Sequence, residues 1–332
     1  MSNLTATTRA MWDRSVYDEV YMRLILFRML AERRQVTFKA GTTYKATVKY
    51  QEIDSLAQEY GKNETMDGGS KTTMQTVEWY RKRIQLPLEL DYDDDEANSS
   101  GGDGQIFDLK ERLVRDGQRG LRLKMNEIMF RAGASARDAS TSADWQGMGD
   151  ALAHDITYGG LTRATTNTNK WWQGASYADS FADQATHYTP SVGFVRTCID
   201  KVQKYVENPG DLIAICGNTN WRAIQSEVEA SRTYKEGPHA KFGFKSMDID
   251  GVELFAEPYL EDDSTRKKYF FLLHLPDWRL MLSPKRKLGY FTGFTWQGSF
   301  ANGLDKYLGR VMISGNTICT QPNASLFAGN VY

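Results

Sequence analysis

Two runs, Tyr44-Lys45-Ala46-Thr47-Val48-Lys49-Tyr50 and Met74-Gln75-Thr76-Val77-Glu78-Trp79-Tyr80, repeat their character every second residue. That period belongs to extended chain, in which successive side chains leave opposite faces. In the first run Tyr44, Ala46, Val48 and Tyr50 share one face, and Lys45, Thr47 and Lys49 the other. In the second, Met74, Thr76, Glu78 and Tyr80 oppose Gln75, Val77 and Trp79. The first alternation starts at Val36 and the second continues to Leu90. Between them, residues 51–71 are polar and end in Met66-Asp67-Gly68-Gly69-Ser70-Lys71, a glycine-rich turn signal. Strand, polar tip and strand make a long two-stranded hairpin, which in isolation is marginal in water. It must pack on something else.

Toward the N-terminus, Val20, Leu24, Phe27 and Leu30 recur at steps of four, three and three, giving residues 15–34 one apolar helical face. An ordinary packed helix and a helix docked on a neighbouring subunit both fit that pattern. Residues 1–75 as a whole are too polar and irregular for a self-sufficient domain, so partners are expected. Beyond the hairpin, Asp91-Tyr92-Asp93-Asp94-Asp95-Glu96 carries carboxylates at alternate positions, as calcium loops do. The match fails in detail, because Glu96 stands where the sharp turn needs glycine and Gly102 where the bidentate glutamate belongs. A solvated acidic loop continuing through Asn98-Ser99-Ser100-Gly101-Gly102 is predicted, with no metal.

From Ile106 to Ala132, Ile106, Leu109, Leu113, Gly117, Leu121, Met125, Ile128 and Ala132 recur at steps of three or four. At 1.5 Å per residue this spine helix is about 40 Å long. Arg112, Arg115, Arg119 and Arg122 form a second stripe on it. Two readings stand for that stripe: a solvated face partly neutralised by Asp108, Glu111 and Asp116, or a surface that faces phosphate.

Further along, Lys170-Trp171-Trp172-Gln173-Gly174 offers either a stacking platform or a loop anchor. Val192, Val195, Cys198, Ile199, Val202 and Val206 line a helix over 191–207, and Leu212-Ile213-Ala214-Ile215-Cys216 is a buried strand. A further helix near Trp221–Ser231 completes an α/β subdomain. From Phe242 the chain turns to short strands, including Gly251-Val252-Glu253-Leu254-Phe255 and Tyr269-Phe270-Phe271-Leu272-Leu273. The predicted class is α+β.

At 332 residues the chain holds one large core or two modest ones. A net charge of -1, from 41 basic and 42 acidic side chains, excludes a surface that grips nucleic acid everywhere by counterion release. Any such contact is local. Cys198, Cys216 and Cys319 are far apart and odd in number, and read as core hydrophobes in a reducing compartment. Met1–Arg14 holds no apolar signal core, and no run of about 18 apolar residues occurs. A cytoplasmic, soluble chain without membrane contact is expected.

Chemistry is sparse. His154, His187, His239 and His274 stand at no metal-ligand spacing from one another or from cysteine. There is no Gly-x-Ser-x-Gly elbow, Walker A loop or dinucleotide fingerprint. Gly217-Asn218-Thr219-Asn220 joins a strand to a helix but lacks the lysine and glycine spacing of a phosphate loop, so capping is its expected role. Carboxylates are plentiful, and none is singled out as an acid or base. Neither catalysis nor a cofactor is predicted.

In their order, the segments resemble the HK97-like major capsid proteins of tailed bacteriophages. Tyr158-Gly159-Gly160-Leu161-Thr162-Arg163-Ala164-Thr165 with Trp171-Trp172 is similar to that group's Gly-Gly-x-x-Arg loop ending in an aromatic. Ser231-Arg232-Thr233-Tyr234, Gly243-Phe244-Lys245-Ser246 and Gly251–Phe255 resemble part of its outer subdomain, and Ile313–Cys319 before Gln321-Pro322-Asn323 its last strand. The resemblance covers most of the chain and rests on the order of the motifs.

It implies an N-terminal arm at 1–35, an extended loop at 36–76 and a peripheral domain at 77–189 containing the spine helix, 106–132. An axial domain at 190–295 and returning C-terminal strands at 296–332 complete it. It implies pentameric and hexameric capsomers of one chain, closed as an icosahedral shell around double-stranded DNA. The shell would be built in the host bacterial cytoplasm with separate scaffolding, portal and decoration proteins, and end in the virion. Because the chain begins directly at the arm, a fused scaffolding segment is expected to be absent. The spine helix then faces the lumen, with Arg112, Arg115, Arg119 and Arg122 as DNA-facing candidates. Val20, Leu24, Phe27, Lys45, Lys49 and Lys71 are the assembly candidates. Two alternatives stay open: an encapsulin-type compartment, and a carbohydrate- or nucleotide-active enzyme with a concave pocket and paired carboxylates.

Overall fold

The computed structural model describes residues 25–50, 72–99, 109–132, 135–154, 156–163, 169–175, 187–230, 246–286, 289–296 and 305–332. Helix α1 (Ile25–Glu32) leads into β1 (Val36–Phe38), the hairpin strands β2 (Thr43–Lys49) and β3 (Met74–Tyr80), and then β4 (Lys82–Asp91). Helix α2 (Tyr92–Ser99) and the long α3 (Leu109–Met129) follow. Next come α4 (Met148–Leu152), β5 (Thr157–Tyr158), β6 (Leu161–Thr162), α5 (Val192–Gln203), β7 (Leu212–Cys216) and α6 (Asn218–Ala230). The remaining strands are β8 (Ser246–Ile249), β9 (Val252–Ala256), β10 (Phe270–His274), β11 (Trp278–Leu282), β12 (Tyr290–Phe291), β13 (Thr295–Trp296), β14 (Lys306–Cys319) and β15 (Leu326–Ala328).

The 14-residue β14 organises a six-stranded sheet. One edge pairs antiparallel with β4 from Lys306↔Asp91 to Gly315↔Lys82. The other takes β13, β12 and β11 in succession, and β1 adds parallel to β11 at Val36↔Leu280. Val36–Phe38 thus belongs to this sheet and not to the hairpin. The alternating run 72–90 is likewise shared, because the ladder changes partner at Arg81, leaving β3 in the hairpin and β4 in the body. Gly315 sits where β14 crosses β11, and a Cβ there would run into the Met281 carbonyl oxygen. Backbone cannot yield as a side-chain tip can, so Gly315→Ala should lower stability by about 2–3 kcal/mol in denaturant titration. At Gly117 the obstacles are side-chain methyls of Leu88 and Leu86, and alanine there should cost under about 1 kcal/mol.

A second sheet runs β15-β10-β7-β9-β8, with β7 and β9 parallel and its other pairs antiparallel. Alternation along β7 explains its uninterrupted apolar sequence. Leu212, Ala214 and Cys216 join a core with Phe194, Cys198 and Val202 of α5 and Ile224 of α6. Ile213 and Ile215 join the other core, with Met125, Phe130 and Trp278. A strand buried on both faces needs no polar side. Phe130, just past the spine helix, lies 5.7 Å from Phe271 of β10 between ring centroids, within a core that also takes in Leu280 and Val311 of the six-stranded sheet.

Sheet membership divides the chain differently from the segments 190–295 and 296–332. Strands β11, β12 and β13 pair in the six-stranded sheet, whereas β15, far downstream, closes the five-stranded one. Burial also changes the reading of the N-terminal helix. Leu26, Met29 and Leu30 of α1 lie in the main core, so this part of the 1–35 segment is built into its own subunit.

The acidic stretch is a helix, not a loop. Asp91 Oδ1 accepts from the Asp93 amide at 3.1 Å, and Asp93, Asp94 and Asp95 fill the first turn of α2, where the helix dipole favours negative charge. Lys110 closes it from α3 with a 2.7 Å bond to Asp95.

Candidate assembly surfaces and their supports

The hairpin ladder runs from Thr43↔Tyr80 to Lys49↔Met74, a stem of about 20 Å. Its inward face carries Tyr44, Val77 and Trp79, buried at 6%, 0% and 1% exposure. Trp79 meets Tyr158 edge-on at 6.0 Å and Trp172 at 6.3 Å, while the Glu78 amide donates to the Gly159 carbonyl at 3.0 Å. Tyr50 stacks on Trp171 at 4.9 Å. The paired tryptophans are therefore supports of the hairpin, with the Trp172 indole N–H donating to the Tyr158 carbonyl at 2.9 Å.

Arg163 is the fixed point beneath this root. It is fully buried, and its Nε donates to the Ile156 carbonyl at 2.9 Å. Its Nη1 donates to the Ala151 and Trp172 carbonyls at 2.6 and 3.2 Å, and its Nη2 to the Asp150 carbonyl at 2.5 Å. The guanidinium also lies 5.2 Å from the Tyr158 ring centroid. Burial draws its pKa down to about 10, still cationic at neutral pH. One side chain thus donates to four backbone carbonyls, two from α4, one from the turn before β5 and one from the Trp172 turn.

Two buried carboxylates do similar work. Asp138 accepts from the Gly159 and Gly160 amides at 2.9 and 2.8 Å and from Gln146 Nε2 at 2.6 Å. Gly159 and Gly160 adopt φ of +62° and +77°, the left-handed conformation that glycine tolerates. Asp150 pairs with Arg137 Nη1 at 2.8 Å and accepts from the Gly147 amide at 3.0 Å. Lys82 donates to the Ala139 and Ser142 carbonyls at 2.6 and 2.9 Å. Burial draws its ammonium below the ordinary lysine value, against the pull of Asp138 and Asp144. The Gly-Gly-x-x-Arg spacing pointed to Arg163. Nothing in the sequence singled out Asp138, Asp150 or Lys82, whose partners are distant carbonyls and amides.

The spine helix divides its arginines. Arg112, Arg115 and Arg119 are exposed, but Arg122 is only 9% exposed and leaves the stripe, because the inner face is wider than the predicted apolar positions and takes in Gln118, Arg122 and Asn126. Arg115 pairs with Glu111 at 2.6 Å and Arg112 reaches Asp116 at 3.9 Å. Of the assembly candidates, Lys45 and Lys49 are exposed on the outward face of β2, with Lys45 Nζ 3.1 Å from Glu78. Phe27 lies on α1, while Val20, Leu24 and Lys71 lie outside the described residues.

The turn at Gly217 is sealed by the protein's own carboxylate. Glu261 accepts from the Thr219 amide at 2.6 Å and from its hydroxyl at 3.0 Å, at the α6 N-terminus where a phosphate would sit. Glu261, 42 positions away, thus caps this end of α6. His154 Nε2 lies 3.1 Å from the Gly174 carbonyl, and His274 Nδ1 2.6 Å from Asp277. All three cysteines are buried and outside any disulfide, and burial raises the Cys216 and Cys319 thiols far above their ordinary value. Among the described residues no group of three or more His, Cys, Asp or Glu could hold a metal. No described helix is long and apolar enough to cross a membrane.

No protein-family model and no curated protein matches the chain. Solved structures do. The capsid asymmetric unit of cyanophage A-1(L) superposes with a TM-score of 0.65 at 11% identity, over 92% of each chain. The capsid of a native GTA particle gives 0.56 at 8% identity, over 91% of this chain and 90% of that one. The SrpI encapsulin of Synechococcus elongatus PCC 7942 gives 0.54 at 12% identity, over 92% and 87%. The protein has the HK97-like fold of shell-forming proteins.

Proposed function

We propose that the chain is the major capsid protein of a tailed bacteriophage, which assembles as pentameric and hexameric capsomers into an icosahedral shell around double-stranded DNA. The observation that carries this reading is the hairpin. Its inward face, Tyr44, Ala46, Val48, Val77 and Trp79, packs on its own subunit, and its outward face leaves Lys45, Lys49 and Met74 exposed. The likeness to the cyanophage capsid over nearly the whole of both chains supports it. In this reading residues 1–35 are the arm, of which α1 is built into the body, 43–80 the extended loop, and the five-stranded sheet with α5 and α6 the axial region. Scaffolding, portal and decoration proteins are its expected partners, the host bacterial cytoplasm its site of assembly, and its work is assembly, not turnover.

Expression of the chain alone and with the scaffolding protein encoded near its gene should give capsomers or closed shells by electron microscopy and sizing chromatography. A monomer under both conditions overturns the proposal. The likeness to SrpI keeps an encapsulin-type compartment as the second reading. Shells from the native host that hold protein cargo and no DNA would establish it instead. With α3 toward the lumen, Arg115→Glu combined with Arg119→Glu should leave empty shells intact and reduce packaged DNA about tenfold. Unchanged filling removes the lumen assignment.

A further inference from the structure

The chain as a whole carries a net charge of only -1, but the six-stranded sheet gathers cations on one side. One face of that sheet packs on α3: Val311 and Ile313 of β14 and Leu88 of β4 lie in the main core, and the Leu86 and Leu88 methyls meet Gly117. Residues of the other parity point away from α3. On β4 these include Arg83, Gln85 and Pro87, all exposed, and on β14 they include Arg310, also exposed, and Met312, half-buried. The register sets Arg83 opposite Ser314, Gln85 opposite Met312 and Pro87 opposite Arg310. The Ser314 amide donates to the Arg286 carbonyl at 3.2 Å, which brings exposed Lys285 and Arg286 to the Arg83 end of the face.

Among the described residues, Arg83, Lys285, Arg286 and Arg310 have no ion-pair partner. The carboxylates of the same β4 face, Glu89 and Asp91, lie at its far end with Lys306, which stands opposite Asp91 and bonds Glu89 at 2.7 Å. Between Arg83 and Arg310 the face is uncharged: Gln85, Met312 and Tyr290, the cross-strand neighbour of Met312. The two arginine rows are four residues apart along the strands, about 13 Å, which is the separation of side chains i and i+4 on an extended chain. With α3 toward the lumen, this face lies on the opposite side of the subunit from packaged DNA. Its counter-charge therefore comes from outside the shell.

Resting on the shell reading, we propose that this face binds, on the outside of the particle, an extended acidic segment of a separate protein. Carboxylates four residues apart meet Arg83 with Arg286 at one end and Arg310 at the other, and the side chains between them lie over Met312 and Tyr290. Each exposed ion pair contributes little alone, so the affinity comes from several cations facing one strand of matching charge.

The probe is a synthetic peptide with glutamate at every fourth position, titrated against the full-length chain. Arg83→Gln with Arg310→Gln should weaken its binding about tenfold, since each exposed pair is worth a few-fold at most. Arg112→Gln with Arg115→Gln on α3, whose cations already face Asp116 and Glu111, should change it by less than about twofold. Should Arg83→Gln disturb the sheet edge, Lys285→Gln with Arg286→Gln decides in its place. No binding of the peptide, an equal loss in the α3 variant, or tighter binding of heparin or a DNA duplex through the same residues overturns the proposal. On assembled particles, Gln85→Cys should react with a bulky maleimide that cannot enter the shell, against little background because Cys198, Cys216 and Cys319 are buried. Intact particles that stay unlabelled overturn the outward placement. A chain that binds the peptide through Arg83 and Arg310 but forms no particles would sink the shell reading and keep the acidic-segment site, so the two failures are distinct.

Discussion

Arg163→Met should leave almost no soluble protein. The substitution keeps the volume but strips four hydrogen bonds from the Ile156, Ala151, Trp172 and Asp150 carbonyls at the centre of the fold. Removing one partner of a buried, fully bonded charge typically costs about 3–5 kcal/mol, because what remains is unsatisfied and away from water. That is a large part of the 5–15 kcal/mol that ordinarily holds a domain together. Arg163→Lys should recover little, because three donors on a point charge cannot reproduce the planar fork. Soluble yield and the denaturation midpoint read the effect. An Arg163→Met variant within about 1 kcal/mol of the unaltered chain would mean that water or neighbouring groups satisfy these carbonyls, and the account of the hairpin root would fall.

Removal of residues 1–35 should be nearly as damaging, while removal of 1–24 should not. The longer cut takes Leu26, Met29 and Leu30 out of the main core, at about 2–5 kcal/mol for each large side chain. It also removes the Gln35 carbonyl that accepts from Leu280 at 3.0 Å and the Arg33–Asp211 ion pair between the end of α1 and the turn before β7. The shorter cut leaves every described contact in place. Its product should unfold at the same denaturant concentration as the intact chain yet, if the shell reading holds, form no closed particles. Equal stability of both truncations would show that α1 adds nothing to the body, and normal shells from the shorter one would remove the arm's role in assembly.

Reading the sequence located the hairpin, its register-determining faces, the spine helix and the β7 strand because each is a local pattern. Tyr44, Val77 and Trp79 turn inward as their period requires, and Gly117, Leu121, Met125 and Ile128 line the inner face of α3. The acidic segment misled because its carboxylates were weighed as metal ligands and not as the favoured first turn of a helix, with Lys110 fifteen residues away as its clasp. Arg122 was misplaced because a spacing of three fits both an exposed stripe and the flank of a broad buried face.

The sequence by itself determined which segments are extended, which are helical, and which faces of each are apolar, since those follow from periods of two and of three to four within a few residues. It also carried the Gly-Gly-x-x-Arg motif, but not its purpose. Tertiary structure alone decided that Arg163 is a buried brace, that Glu261 fills the α6 N-terminus, and that strands far apart in the chain divide between two sheets. These outcomes rest on hydrogen-bond donors and acceptors meeting across 42 or more residues, as Thr219 and Glu261 do, or on guanidinium contacts with backbone carbonyls of several segments. No local pattern encodes them, because satisfaction of a buried polar group depends on what the fold brings beside it.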